Sequence, residues 1–310
     1  LIALGLQILC VKQGAVLLVD EAEHALEPYR IRHLLRKFQQ LAGLNDPSVG
    51  QVIMTSHSRT VIVELASENL CVVRSENGTT TVRKVGSALQ STARSVPESL
   101  LGRKVIVCEG KTEYGFCTSL ENYWVEVQSK LPLAYYGTVL VEGGGDSAPR
   151  RALELAGLGY NACLFIDSDK LDELNPDLQT LTDAGVKTVY WEGSVAIEER
   201  VVLDVPWESL KQMIALAIEI KGEQSVFDRI CSALGANRVE IGTDINDWRH
   251  RGYSENQIRE AIGQSAKRGE WFKRIDHGEG LGKVVVEALA NIPGRDLTLK
   301  VEELGKWVYG

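Results

Sequence analysis

VIVCEGKTE, residues 105–113, and LFIDSDK, residues 164–170, decide the fold of this chain. Each is an apolar run that stops at a carboxylate. Val105 to Cys108 and Leu164 to Ile166 have no polar interruption, the pattern of parallel strands buried on both faces. Glu109 and Asp167 stand at the two strand ends. Glu113 follows Glu109 by one helical turn, so a helix starting there points both carboxylates at one corner. Asp169 completes an Asp-Ser-Asp run at the second strand end.

The flanking sequence repeats the pattern. Thr138 to Val141 reads as a strand leading into Glu142-Gly143-Gly144-Gly145-Asp146, where three glycines permit a tight turn or close approach to a ligand. A helix is expected over 148–156, then a strand over 186–192, then Gly193 to Val202 with Ile197-Glu198-Glu199. Alternating strands and helices imply a largely parallel sheet, and such sheets bind ligands beyond the strands' C-terminal ends. Glu109, Glu113, Asp167, Asp169 and Glu198 are therefore the candidate metal-binding and catalytic carboxylates. Oxygen ligands without a Cys/His set suit Mg²⁺ or Mn²⁺, with Ca²⁺ binding non-productively. Two ions about 3.5–4 Å apart fit an in-line displacement at phosphorus.

Charge is distributed accordingly. The 310 residues carry a formal net charge of −8, from 34 Lys and Arg against 42 Asp and Glu. Residues 1–103 are net +2, residues 104–200 net −8 and residues 201–310 net −2. The whole excess thus lies in the segment holding the five carboxylates. The balance argues against a protein coated in basic charge, though it leaves room for a local basic patch. A plain solvated acidic surface is the competing reading.

Upstream, AVLLVDEAEHALEP (residues 15–28) places Asp20 and Glu21 after another buried-type strand, and QVIMTSHS (residues 51–58) places His57 after a second. These stretches resemble the later half of an ABC-type ATPase. The resemblance implies a Walker B strand with Asp20 toward magnesium, Glu21 orienting water, AEHALEP as the D-loop and His57 as the switch histidine. A phosphate-cradling G-x-x-x-x-G-K-[ST] loop is missing. Gly110-Lys111-Thr112 has Val105 where the first glycine belongs, and Gly282-Lys283 has His277 there and Val284 after it. ATP binding is therefore expected only with residues beyond this chain, and ATP hydrolysis by the chain alone is not expected. The chain also opens on Leu within an apolar helical pattern (residues 1–13), as the later part of a longer protein would.

The strand–E-G-K-T-E and strand–D-S-D pair resembles the Toprim domain of topoisomerases, primases and a group of nucleases. An ABC-type ATPase followed by Toprim resembles the OLD (overcoming lysogenization defect) nuclease family, over residues 1 to about 202 and more weakly beyond. That resemblance implies a DNA endonuclease in which Glu109, Glu113, Asp167, Asp169 and Glu198 hold two metals and Lys283 assists. Glu198 is preferred to Glu199 because Ile197-Glu198 follows the expected strand at the expected offset. It also implies a homo-oligomer formed through the ATPase part, DNA as partner, a helicase partner as in some relatives, and a role in phage defence or repair. Two other functions compete. One is a non-catalytic, ATP-switched repair or scaffold protein whose Toprim domain only binds metal. The other is a topoisomerase or primase, although Tyr114, Tyr135 and Tyr136 carry no signature of a nucleophile.

The expected fold class is α/β, a partial ABC-type ATPase sheet followed by a Toprim-like parallel sheet and a mostly helical C-terminal segment. The expected boundaries are 1–86, a linker at 87–103, 104–204 and 205–310. In the last segment, Arg249-His250-Arg251, Lys267-Arg268 and Lys273-Arg274 are interleaved with Trp248 and Trp271, a mixture that suits phosphate contact and base stacking or else a solvated helix face. Lys283, in HGEGLGKVVVEAL, is read as lying in a glycine-rich turn before a helix. Six scattered cysteines without C-x-x-C and no apolar run of about 18–20 residues point to a cytoplasmic protein, and the family resemblance implies a prokaryotic one.

Overall fold

The computed structural model describes residues 15–41, 50–237 and 242–310. The helix expected over residues 1–13 lies outside them. The chain divides into two compact units, Leu1–Leu101 and Gly102–Gly310.

In the first unit, strands β1 (Val16–Val19) and β2 (Gln51–Met54) pair in parallel with Val16 opposite Gln51 and Val19 opposite Met54. Helix α1 (Pro28–Leu41) joins them in sequence, and α2 (Arg59–Glu64) follows β2. Ala22, Leu34 and Phe38 pack against Leu17, Val19, Val52 and Met54, which gives the pair one apolar face. Strands β3 (Cys71–Glu76) and β4 (Thr79–Lys84) form an antiparallel hairpin. Its turn uses Asn77 and Gly78 at φ 50° and 78°, the left-handed pair that a two-residue hairpin requires. The stretch expected as a linker is folded instead. It forms a 3-10 turn at Ser87–Leu89, the short helix α3 (Gln90–Ser95) and a second turn at Pro97–Leu100, with Leu89 and Ala93 buried.

The second unit is built on four parallel strands in the order β6-β5-β7-β8 (Thr138–Glu142, Lys104–Cys108, Asn161–Ile166 and Lys187–Tyr190). Val105 to Cys108 and Ala162 to Ile166 are buried throughout, as their unbroken apolar runs require. Helix α4 (Lys111–Glu126) leaves β5 and α5 (Ala148–Gly157) leaves β6; the short α6 (Leu178–Asp183) precedes β8 and α7 (Ile197–Asp204) follows it. The order reverses between β5 and β7, because the chain goes first to one side of β5 and then to the other. In sheets of this kind that reversal opens the crevice where ligands sit.

Helices α8 (Trp207–Lys221), α9 (Glu223–Leu234), α10 (Ile245–His250), α11 (Glu255–Arg268), α12 (Ile275–Ala288) and α13 (Asp296–Tyr309) complete the unit. They share the sheet's core, since Phe116, Phe165 and Trp191 belong to one apolar cluster with Trp248, Trp271, Phe272, Leu281 and Val308. The boundary expected at residue 204 is thus no boundary between cores.

The closest seam runs between α4 and α12. A Cβ on Gly115 would stand 2.0 Å from the Ile275 carbonyl oxygen, one on Gly278 2.4 Å from the Thr112 carbonyl oxygen, and one on Gly282 2.6 Å from Ser119 Cβ. Thr112 Oγ1 donates to the Phe272 carbonyl at 2.9 Å and Ser119 Oγ donates to the Glu279 carbonyl at 2.8 Å. The HGEGLGK sequence is therefore a helix-packing stripe. It is not a turn before a helix, and Lys283 sits exposed inside α12. Docking α12 this closely brings residues 272–275 to the start of α4, with consequences for the site. Gly278→Ala should lower stability by about 1–3 kcal/mol, the range for an overpacked core. Gly157→Ala, where an added Cβ meets nothing within 4 Å, should not; thermal melts of the two variants make the comparison.

Candidate functional site

The strand register sets the site. Cys108 lies opposite Phe165, so the residues just past both strands emerge side by side. Glu109 N–H donates to the Phe165 carbonyl at 2.9 Å, and Asp167 N–H donates to Glu109 Oε2 at 2.9 Å. The crevice at the β5–β7 reversal is thus floored by Glu109 and Asp167.

Each further carboxylate arrives on a helix start. Glu113 is buried and turns back to accept from Gly110 N–H at 2.8 Å, capping α4. Asp167 Oδ1 accepts from Ile197 N–H at 2.9 Å and from the Trp191 indole at 3.2 Å, which ties the start of α7 to the end of β7. Glu198, next along α7, is 0% exposed, and neither of its oxygens has a hydrogen-bond partner. Glu199 caps α7 through Ala196 N–H at 2.9 Å, and it shares Lys267 with Asp169.

Crowding and burial show in the proton affinities. Loss of water, then the neighbouring Glu109 charge, raises Glu113 from 4.5 to about 7. Burial, with Glu113, Glu198 and Glu109 beside it, pushes Asp167 well up. Burial also raises Glu198, against the pull of Lys273. Lys273, though exposed, lends positive charge to the crevice. Partial burial lowers its ammonium, but Glu198, Glu113, Asp167 and Glu109 outweigh that and hold it above its ordinary value.

The structure therefore brings together Glu109, Glu113, Asp167 and Glu198, with Asp169 at the rim in an ion pair to Lys267. Lys283 lies exposed inside α12, and Lys273 is a lysine whose charge acts on the carboxylates. The sequence signal for Lys273 was present in the Lys273-Arg274 pair, but only the α4–α12 seam reveals which way it faces. Trp248 and Trp271 are fully buried, so the expected stacking surface is absent at both positions. Arg249 lies over the Trp207 ring at 4.0 Å and pairs with Glu255, and Arg274 pairs with Asp276 at 2.9 Å. The triple-glycine turn packs on the protein itself. Gly143 N–H donates to the Cys108 carbonyl at 2.6 Å, a Cβ there would stand 2.3 Å from Ala148 Cβ, and Asp146 is exposed.

Among the described residues, no group of three or more His, Cys, Asp or Glu side chains is placed to hold a metal ion. Glu109, Glu113 and Asp167 each accept from N–H groups, and Asp169 is held by an ammonium. Glu198 is the exception that tests the fit. A buried carboxylate with no donor carries a large desolvation penalty. A proton or a cation at the crevice offsets it, and the donor chemistry is that of a hard divalent cation.

In the first unit, Asp20 accepts from Thr55 Oγ1, which in turn accepts from Glu21 N–H at 2.9 Å. His57 N–H donates to Glu23, and the His24 ring lies 3.4 Å from Glu21. Asp20, Glu21 and His57 thus gather at the C-terminal ends of β1 and β2.

No family model matches the chain. No curated protein matches it either. Two solved structures of the C-terminal region of the Xanthomonas campestris pv. campestris OLD protein, phased with mercury and with platinum, are similar to it. Their TM-scores are 0.34 and 0.30 and their identities 16% and 13%; each covers 67% of this chain, and 96% and 99% of the neighbour is covered. No helix among the described residues is long and apolar enough to cross a membrane.

The raised Glu113 gives a pH prediction. Between about pH 4.5 and 7 the folded chain keeps a proton there that the unfolded chain has released, so stability falls as pH rises through that window. In chelator-treated protein the melting temperature should decline across it. Glu113→Gln should flatten the decline, and an unchanged slope in that variant would count against the burial of charge described above.

Proposed function

We propose that this chain is a divalent-cation-dependent nuclease that hydrolyses phosphodiester bonds in DNA. The observation that carries the reading is Glu198, fully buried, without a hydrogen-bond donor, and set among Glu109, Glu113 and Asp167 at the β5–β7 crevice. A structural carboxylate is buried with its donors. One that lacks them, in a crevice already crowded with negative charge, fits a site that holds a cation.

Glu109, Glu113, Asp167 and Glu198 would hold Mg²⁺ or Mn²⁺, with Asp169 available at the rim. When bound, the ions supply Lewis acidity at the phosphate and acidify the attacking water. The chain's own residues do the rest. Asp167 keeps α7 in place through Ile197 N–H, which fixes Glu198 relative to β7. Lys273 holds a positive charge beside the carboxylates, where it offsets negative charge developing on a phosphate oxygen. In the first unit, Asp20, Glu21 and His57 form a half-site for ATP that a phosphate loop from outside this chain would complete. DNA is the proposed partner, and pairing of chains through the ATPase part follows from the half-site.

Nicking of supercoiled plasmid in Mg²⁺ or Mn²⁺ tests the reading. Asp167→Ala and Glu109→Ala should abolish cleavage while DNA binding persists. Lys273→Ala should lower the rate by about 10²–10³-fold, as loss of one preorganised charge does, and by far more than Lys283→Ala. A folded protein that cleaves with no divalent ion, or at the same rate after Asp167→Ala, overturns the reading. Relaxation without net breaks would point to a topoisomerase instead.

A further inference from the structure

Lys267 lies in the last turn of α11, and its Nζ stands 2.8 Å from Asp169 Oδ2 and 3.0 Å from Glu199 Oε2. Both carboxylates are largely shielded, with side chains 18% and 19% exposed. They adjoin the crevice residues directly, since Asp169 is two residues after Asp167 and Glu199 is next to Glu198. One ammonium therefore sits between two carboxylates at the rim of the proposed cation site. That is the position a cation would take if Asp169 were a ligand.

Helix α11 does not need that ammonium to stay docked. Residues 259, 263 and 267 fall on one face of it, spaced four apart. Arg259 is buried and donates to the carbonyls of Val202 and Val205, closing the end of α7, the Val205 bond measuring 3.0 Å. Gly263 lets the two helices touch, because a Cβ there would lie 3.3 Å from Glu199 Cα. Backbone contact at Gly263 and the capping at Arg259 hold the pair of helices. Lys267 adds only the end of a flexible four-carbon stem, whose charge can be moved without moving the helix.

We propose that Lys267 is a tethered counter-ion that keeps Asp169 closed to divalent cations, and that a cation reaches Asp169 only by displacing it. This rests on the proposed function in one respect, that Asp169 belongs to the cation site. The exchange is of charge alone, a divalent ion taking the ammonium's place at Asp169 while Glu199 stays free to pair with the lysine. Glu199, which the sequence left second to Glu198, becomes the residue that retains the displaced lysine nearby or passes it to solvent.

Lysine acylation followed by mass spectrometry, on the whole chain with and without Mn²⁺, reads the displacement directly. Without Mn²⁺, Lys267 should be several-fold less reactive than Lys306, whose side chain is 80% exposed. Saturating Mn²⁺ should raise the reactivity of Lys267 and leave that of Lys306 unchanged. In calorimetric titration, Lys267→Met keeps the stem and should bind Mn²⁺ about tenfold more tightly at one site, the scale of removing one neighbouring charge. Mn²⁺ binding with Lys267 still protected and the affinity unchanged in Lys267→Met overturns the counter-ion and leaves the proposed function standing. Absence of Mn²⁺ binding in both proteins overturns both. Binding only in Lys267→Met means that the cation does not displace the lysine, and overturns the exchange.

Discussion

Everything at the proposed site depends on one alignment, the parallel pairing that ends β5 and β7 at the same level. Cys108 opposite Phe165 leaves Glu109 and Asp167 no choice but to emerge together, and the Asp167 N–H donated to Glu109 locks them there. Two carboxylates in that position repel each other in a region that burial has stripped of water. The remaining chemistry responds to this repulsion. Glu113 and Asp167 hold protons more tightly than free carboxyls do, and Lys273 is held charged among them.

A second constraint makes the first tolerable. Glycine in a helix costs about 0.5–1 kcal/mol relative to alanine, so Gly115, Gly278 and Gly282 weaken α4 and α12 taken alone. Together they allow backbone-to-backbone approach, with Thr112 and Ser119 donating across the seam. That approach carries Phe272 and Lys273 to the N-terminal end of α4, where Glu113 lies. A wider seam would leave Glu113 and Glu198 without the Lys273 charge that acts on them.

Much of this was legible in the sequence, and the limit is physical. Unbroken runs such as KVIVC and NACLFI read as buried parallel strands, whose ends lie on one edge; of the five candidates Glu109, Glu113, Asp167, Asp169 and Glu198, four meet at the crevice and Asp169 stands in an ion pair beside it. Lys273 and Lys267 were visible only as members of basic pairs, because their direction depends on contacts with α4 and α7 more than 60 residues away in the chain. HGEGLGK misled for a related reason. Glycines read locally as a turn, whereas here they serve a neighbouring helix, and this put Lys283 in the wrong setting. Trp248 and Trp271 had the composition of a nucleic-acid surface, but an indole buries more apolar area than most side chains, and the core claimed both.

The charge balance shows the same division between local and long-range. Residues 104–200 carry a net charge of −8, of which two divalent ions would offset +4. Part of the offset is instead built into the chain. Lys267 and Lys273 come from the helical segment beyond residue 200 and return their ammonium groups to the sheet's edge. The helices after residue 204 are therefore part of the site's electrostatics as well as of its core. Without α11 and the segment leading into α12, the sheet's edge would lose both ammonium groups.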